Sequence, residues 1–155
     1  MSSATKSRVR RFLELRRREQ VLVAEAWGRL LVAALRLRLA PQRTLALALR
    51  EVGGRSAAGD GERSAPDLAR AVVRAAAHHL LPMTCLPRAL ALRQMLRARG
   101  IASALRIGVR KENATLSAHA WVEVSGRALG EPEAIEERFR ALLPLAGGAD
   151  REESP

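Results

Sequence analysis

Cys85 is the only cysteine of the chain, and His119 is the one histidine set in a strand-like run. Cys85 opens a helical stretch, Leu86-Pro87-Arg88-Ala89-Leu90-Ala91-Leu92, that runs to Gly100. A thiol at a helix N-terminus has the makings of a nucleophile. The dipole and free N–H groups of the first turn favour the thiolate, and a nearby imidazolium favours it further. Ser117-Ala118-His119-Ala120-Trp121-Val122-Glu123-Val124 supplies that imidazole. Each residue also has a plainer reading. A lone cysteine in an Ala/Leu-rich helix is usually a small buried hydrophobe, and a histidine on a half-exposed strand can be a well-bonded structural residue. Two features favour chemistry at Cys85. It follows Thr84 in the first turn, where the dipole acts, and the tight Leu81-Pro82-Met83-Thr84 connection can present its sulfur at a surface.

A base needs a third group to hold its tautomer. Glu123 shares the face of His119, but four residues along a strand span roughly 13 Å, at about 3.3 Å each, which is too far for a side-chain bond. Glu131 is the better candidate. If Val124-Ser125-Gly126 is a three-residue hairpin loop with Gly126 left-handed, Glu123 pairs with Arg127 and His119 falls opposite Glu131, their Cβ atoms roughly 5 Å apart. A two-residue Ser-Gly turn would instead set Glu131 opposite Ala120, on the wrong face. In the three-residue register Glu123 is free to pair with Arg127 across the hairpin.

Arg88, one helical turn after Cys85, can bias a thiolate or hold a substrate carbonyl, and is equally plausible as a solvated arginine. Trp121, on the polar face beside His119, suits a substrate-lined cleft. His78 and His79 point about 100° apart on a helix and cannot serve one metal from that spacing. They read as structural or partner-facing.

The elements that carry these residues follow from periodicity. Residues 8–39 read as one long helix or two in tandem, ended by Pro41, and Gln42–Val52 as a short helix. Gly53–Gly61 is expected to be a flexible, glycine-rich linker and the best internal boundary of the chain. Ser64-Ala65-Pro66-Asp67 restarts a helix with Ser64 as cap and Pro66 in its first turn, and Pro82 stops it. Thr84 caps the Cys85 helix and Gly100 closes it. Beyond Gly100 the period becomes two: strands are expected over Ile101–Arg110, Leu116–Val124 and Arg127–Glu131, and a last helix over Glu133–Leu143. Helices first and one antiparallel sheet packed on them make an α+β arrangement. The expected division is a basic helical arm over 1–52, a core over 62–145 and a disordered tail over 146–155.

With 155 residues, 48% hydrophobic and 3% aromatic, the core must be Leu, Ala and Val. One cysteine excludes an internal disulfide and a Cys-rich zinc site, and neither a metal nor an organic cofactor is expected. No apolar run approaches the about 18 residues of a membrane span, and Arg8–Arg18 leaves no room for a signal-peptide core, so a cytoplasmic location is expected. The net charge of +11 is uneven: residues 1–55 carry +9 and residues 56–155 only +2. The arm is therefore the candidate docking surface for an anionic partner, or simply a solvated face. Nucleic acid is the least expected partner, because so few aromatics leave few stacking platforms.

Three blocks in consecutive order carry a further inference: Cys85-Leu86-Pro87-Arg88-Ala89-Leu90 through Leu96-Arg97-Ala98-Arg99-Gly100-Ile101, then Arg106-Ile107-Gly108-Val109-Arg110, then Ala118-His119-Ala120-Trp121-Val122-Glu123-Val124-Ser125-Gly126. Together, over about residues 64–132, they resemble the short stand-alone forms of the transglutaminase-like leader peptidases of lasso peptide biosynthesis. The resemblance implies a papain/transglutaminase-like cysteine protease core, with a helix led by the catalytic Cys packed on a small antiparallel sheet. It implies removal of the leader from a ribosomally made precursor, before a separate ATP-using cyclase forms the lactam. The family's Cys-His-Asp triad falls on Cys85, His119 and Glu131, where this chain keeps the carboxylate but adds a methylene. The partners implied are the precursor's leader peptide, a separate leader-recognition protein and the lasso cyclase. Two other readings stand beside it: an acyl transferase on the same fold, and a non-catalytic basic binding or scaffold protein with Cys85 merely buried.

Overall fold

Helix α1 spans Arg17–Leu39 and buries Ala26, Leu30, Ala33 and Ala34, a stripe at helical spacing that faces the interior. It belongs to a computed structural model that describes residues 16–50, 60–112, 115–131 and 135–141. Pro41 takes the first position of α2 (Pro41–Arg50), where its missing N–H costs nothing. The stretch read as linker lies largely outside the described residues, as does the tail over 146–155.

Helix α3 (Asp60–Ala77) starts earlier than expected, and Pro66 lies inside it rather than in its first turn. Ser64 is therefore not its cap. Pro66 is exposed while Ala65 and Leu68 are buried, so the helix carries its proline on the side away from the core. Helix α4 (Cys85–Arg97) is apolar almost all round, burying Pro87, Ala89, Leu90, Ala91, Leu92, Met95 and Leu96. Such a helix belongs at the centre of a fold. Its end is a Schellman turn: Ile101 N–H donates to Leu96 O and Gly100 N–H to Arg97 O, both at 3.0 Å, with Gly100 at φ 69°. The buried Arg93 donates to Ala48 O and ties α2 to α4.

Four strands follow: β1 (Ala104–Glu112), β2 (Thr115–Val124), β3 (Arg127–Ala128) and β4 (Arg140–Ala141), all antiparallel and ordered β3-β2-β1-β4. The expected third strand is cut to two residues. The expected last helix is also shorter: it is one turn, α5 (Ile135–Arg138), because Phe139 goes down onto the sheet and the chain then pairs with Gly108 and Val109.

Leu30, Leu68, Met95, Leu96 and Val122 are the largest fully buried side chains, and they join α1, α3 and α4 to the Ala120/Val122 face of β2. The helix read as an arm thus shares this core from Leu22 onward. The opposite face of the sheet holds a separate small cluster of Trp121, Ile135 and Phe139. Arg99, just past α4, reaches back to Glu25 on α1 with bonds of 2.7 and 3.3 Å. This bidentate contact holds the Glu25 carboxyl below the usual carboxylate range. Among the described residues no helix is long and apolar enough to cross a membrane.

Candidate active site

Cys85 is the first residue of α4. Thr84 before it is extended (φ −71°, ψ 179°) and takes the N-cap position, but its hydroxyl makes no cap bond. The connection leading there is pinned by His79, whose Nδ1 accepts from Leu81 N–H at 3.1 Å and whose ring stacks on Trp27 of α1 with centroids 4.5 Å apart. The thiol is half-buried and has no hydrogen-bond partner among the described residues.

The hairpin that carries the other two candidates departs from the expected register. Ser125 (φ 50°) and Gly126 (φ 75°) are both left-handed, the signature of a two-residue primed turn. Val124 pairs with Arg127 and Glu123 with Ala128. Continued, that ladder would set Glu131 against Ala120. It runs one residue further, Leu129 N–H donating to Val122 O at 2.9 Å, and ends where Gly130 turns at φ 71°. The turn delivers Glu131 to His119 all the same, with Oε2 3.0 Å from Nε2. A left-handed glycine, not strand register, makes this contact. Because a carboxylate only accepts, Nε2 carries a proton in this bond, and in the neutral ring Nδ1 then keeps its lone pair, the form a base needs.

Around the imidazole stand Trp121 and Phe139, at centroid distances of 6.2 and 5.3 Å. Phe139 and Gly108, which lies directly opposite His119 in the ladder, escape a reading from sequence alone. A lone Phe in an aromatic-poor tail and a Gly within an alternating strand are the only signals they leave. Glu123 does not pair with Arg127. It accepts from Trp121 Nε1–H at 3.0 Å and from Arg106 Nε–H at 2.7 Å, so both its oxygens are held. The reason is the register: Arg127 stands beside Val124, while Arg106 lies on the face of Glu123. Trp121 is only 2% exposed, and its indole N–H is committed to Glu123.

Cys85, Arg88, Trp121, Gly130 and Glu131 line one cleft of ≈ 20 Å³, about the room of a single water. His119 is not part of that lining and is not hydrogen-bonded to Cys85. α4 packs on the Ala120/Val122 face of β2, while His119 leaves from the other. Trp121 and Glu131 touch both the cleft and the imidazole, and of the two Glu131 is hydrogen-bonded to it. Among the described residues no three His, Cys, Asp or Glu side chains converge as metal ligands.

No curated protein and no solved structure matches this chain. A family model, that of the transglutaminase-like superfamily, matches residues 27–144.

Proposed function

The chain belongs to the transglutaminase-like superfamily, and from that premise we propose that it is a cysteine peptidase that removes the leader of a lasso precursor peptide. The superfamily fold is one of cysteine peptidases and acyl transferases. The observation that carries the catalytic reading is the His119–Glu131 bond of 3.0 Å beside a cleft led by a helix-terminal thiol. The sequence blocks around Cys85 and His119 support the narrower reading of a leader peptidase.

In this reading His119 Nδ1 takes the proton of Cys85, and Glu131 steadies the imidazolium that results. The thiolate attacks the last carbonyl of the leader, with the Cys85 N–H as one donor to the oxyanion. The C–N bond breaks as the imidazolium protonates the leaving amine, and a thioester remains. Water then adds to the thioester and the thiolate departs. An amine in place of that water would make the protein a transferase. Catalytic contacts are often long before substrate binds. Here the approach of His119 to Cys85 goes with widening of the one-water cleft, a step for which a separate leader-binding protein is the natural trigger.

Mass spectrometry of a precursor peptide, incubated with this protein and a leader-binding partner, tests the proposal. Cleavage at one site, slowed about 10³-fold or more in Cys85→Ala, is the expected result. Equal behaviour of the two proteins, with leader binding by the partner demonstrated, would sink it. A product joined to an amine rather than hydrolysed would replace peptidase by transferase.

A further inference from the structure

Beyond Gly130 the cleft of Cys85 meets a larger hollow. A groove of ≈ 440 Å³ runs between α3 and β3 and shares three wall residues with the cleft: Ala69, Leu129 and Gly130. The neck between them is tight. A Cβ on Gly130 would stand 3.3 Å from Ala69 Cβ and 3.9 Å from Val73 Cγ2, so a side chain here would narrow the passage. Glycine is thus required twice at this position, for its backbone conformation and for space.

The groove has the features of a seat for extended chain. Its walls include Ala65, Ala69 and Ala128, all small, and β3 is the outer strand of the sheet. Leu129 donates its N–H to β2, so the N–H and C=O of Ala128 face the other way, toward the groove. A peptide laid there gains main-chain bonds by adding to the edge. The charges in the wall are unequally engaged. Glu62 accepts from Ser125 Oγ at 2.8 Å, and Arg70 is bonded to Asp67. Arg127 is exposed and has no ion-pair partner among the described residues.

We propose that this groove seats the substrate as an extended strand beside Ala128, with an acidic side chain over Arg127 and the scissile carbonyl passing Gly130 to reach Cys85. The inference rests on the reading of Cys85 as nucleophile. Arg127 and Glu131 are four residues apart, so the acid would lie about four residues from the scissile bond, at about 3.3 Å per residue.

The test uses alanine-based heptapeptides carrying one glutamate or one glutamine four positions from a reactive end. Each is made as a C-terminal chloromethyl ketone and as an N-terminal bromoacetyl peptide, so that the chain extends to either side of the thiol. Alkylation of Cys85 is followed by intact mass, with iodoacetamide as the probe that ignores the groove. The expected result is a glutamate preference of about fivefold in one of the two designs at low salt. It should fall to about one in Arg127→Gln and persist in Arg38→Gln, with iodoacetamide rates equal throughout. Peptides that alkylate Cys85 without preferring glutamate in either design overturn the groove and leave the nucleophile standing. A thiol inert to every probe, iodoacetamide included, removes the peptidase reading and the groove with it.

Discussion

Glu123 and Glu131 are two carboxylates on one hairpin, held in opposite ways. Glu123 has both oxygens bound, one to Trp121 and one to Arg106, and is 8% exposed. Replacing it by alanine leaves a cation and an indole N–H unpaired in the interior, so unfolding in urea should show a loss of about 3 kcal/mol. Glu131 bonds only His119 among the described residues, and its loss should act on turnover. Glu131→Gln is expected to lower kcat by about 10²-fold or more with the thermal midpoint nearly unmoved, because the amide keeps the ring oriented but not its charge balanced. Glu131→Asp, one methylene short, should fall between. An equal fall in midpoint and in kcat would make Glu131 a structural residue. The placement of the two candidate side chains is legible from residue type and pattern: the thiol at a helix start, the imidazole on a strand. The path of Glu131 to His119 is not. Serine rarely takes the left-handed conformation that Ser125 holds here, so the shorter turn left little trace, and Gly130 undid the one-residue slip that it caused.

At the scale of elements, period-two alternation found β1 and β2, and the apolar stripe found α1, because both patterns report burial directly. It failed where packing overrides local preference. Pro66 has the sequence setting of a helix's first turn, yet its exposed position lets α3 run through it. Residues after Glu133 carry helical spacing, yet Phe139 is drawn under Trp121 and the helix stops at Arg138. Gly108 belongs to that packing. A Cβ there would stand 2.8 Å from Phe139 Cβ and 3.0 Å from two atoms of the Trp121 ring, so Gly108→Ala must move one of them. It should cost about 1–3 kcal/mol and alter the near-ultraviolet signal of Trp121. Gly100→Ala makes a control. Nothing lies within 4 Å of a Cβ there, so only the strain of φ 69° remains, about 1 kcal/mol, with the tryptophan signal kept. If the two variants behave alike, steric crowding beneath the sheet is not what fixes the ring.

Across the whole molecule, the first long helix is held to the centre by shared apolar burial and by the Glu25–Arg99 clamp. Because the Glu25 carboxyl lies below its ordinary value of 4.5 in the folded chain, the clamp stabilises fully above that pH. The contribution is lost as pH falls below it, through the depressed folded value. Thermal midpoints measured from pH 7 to pH 3 should therefore drop less steeply at the acid end in Glu25→Gln, which begins from a lower plateau. Parallel curves would mean that the clamp adds nothing. The order of the elements along the chain has a consequence of its own during synthesis. α1, α3 and α4 all precede the sheet, so the ribosome completes the helical layer, Cys85 included, before His119 or Glu131 exists. Glu131 follows Cys85 by 46 residues, roughly 2–9 s of translation at about 5–20 residues per second. Until then Cys85 lacks the His119–Glu131 pair, and under the proposed mechanism its thiol cannot cut a polypeptide still growing on the ribosome.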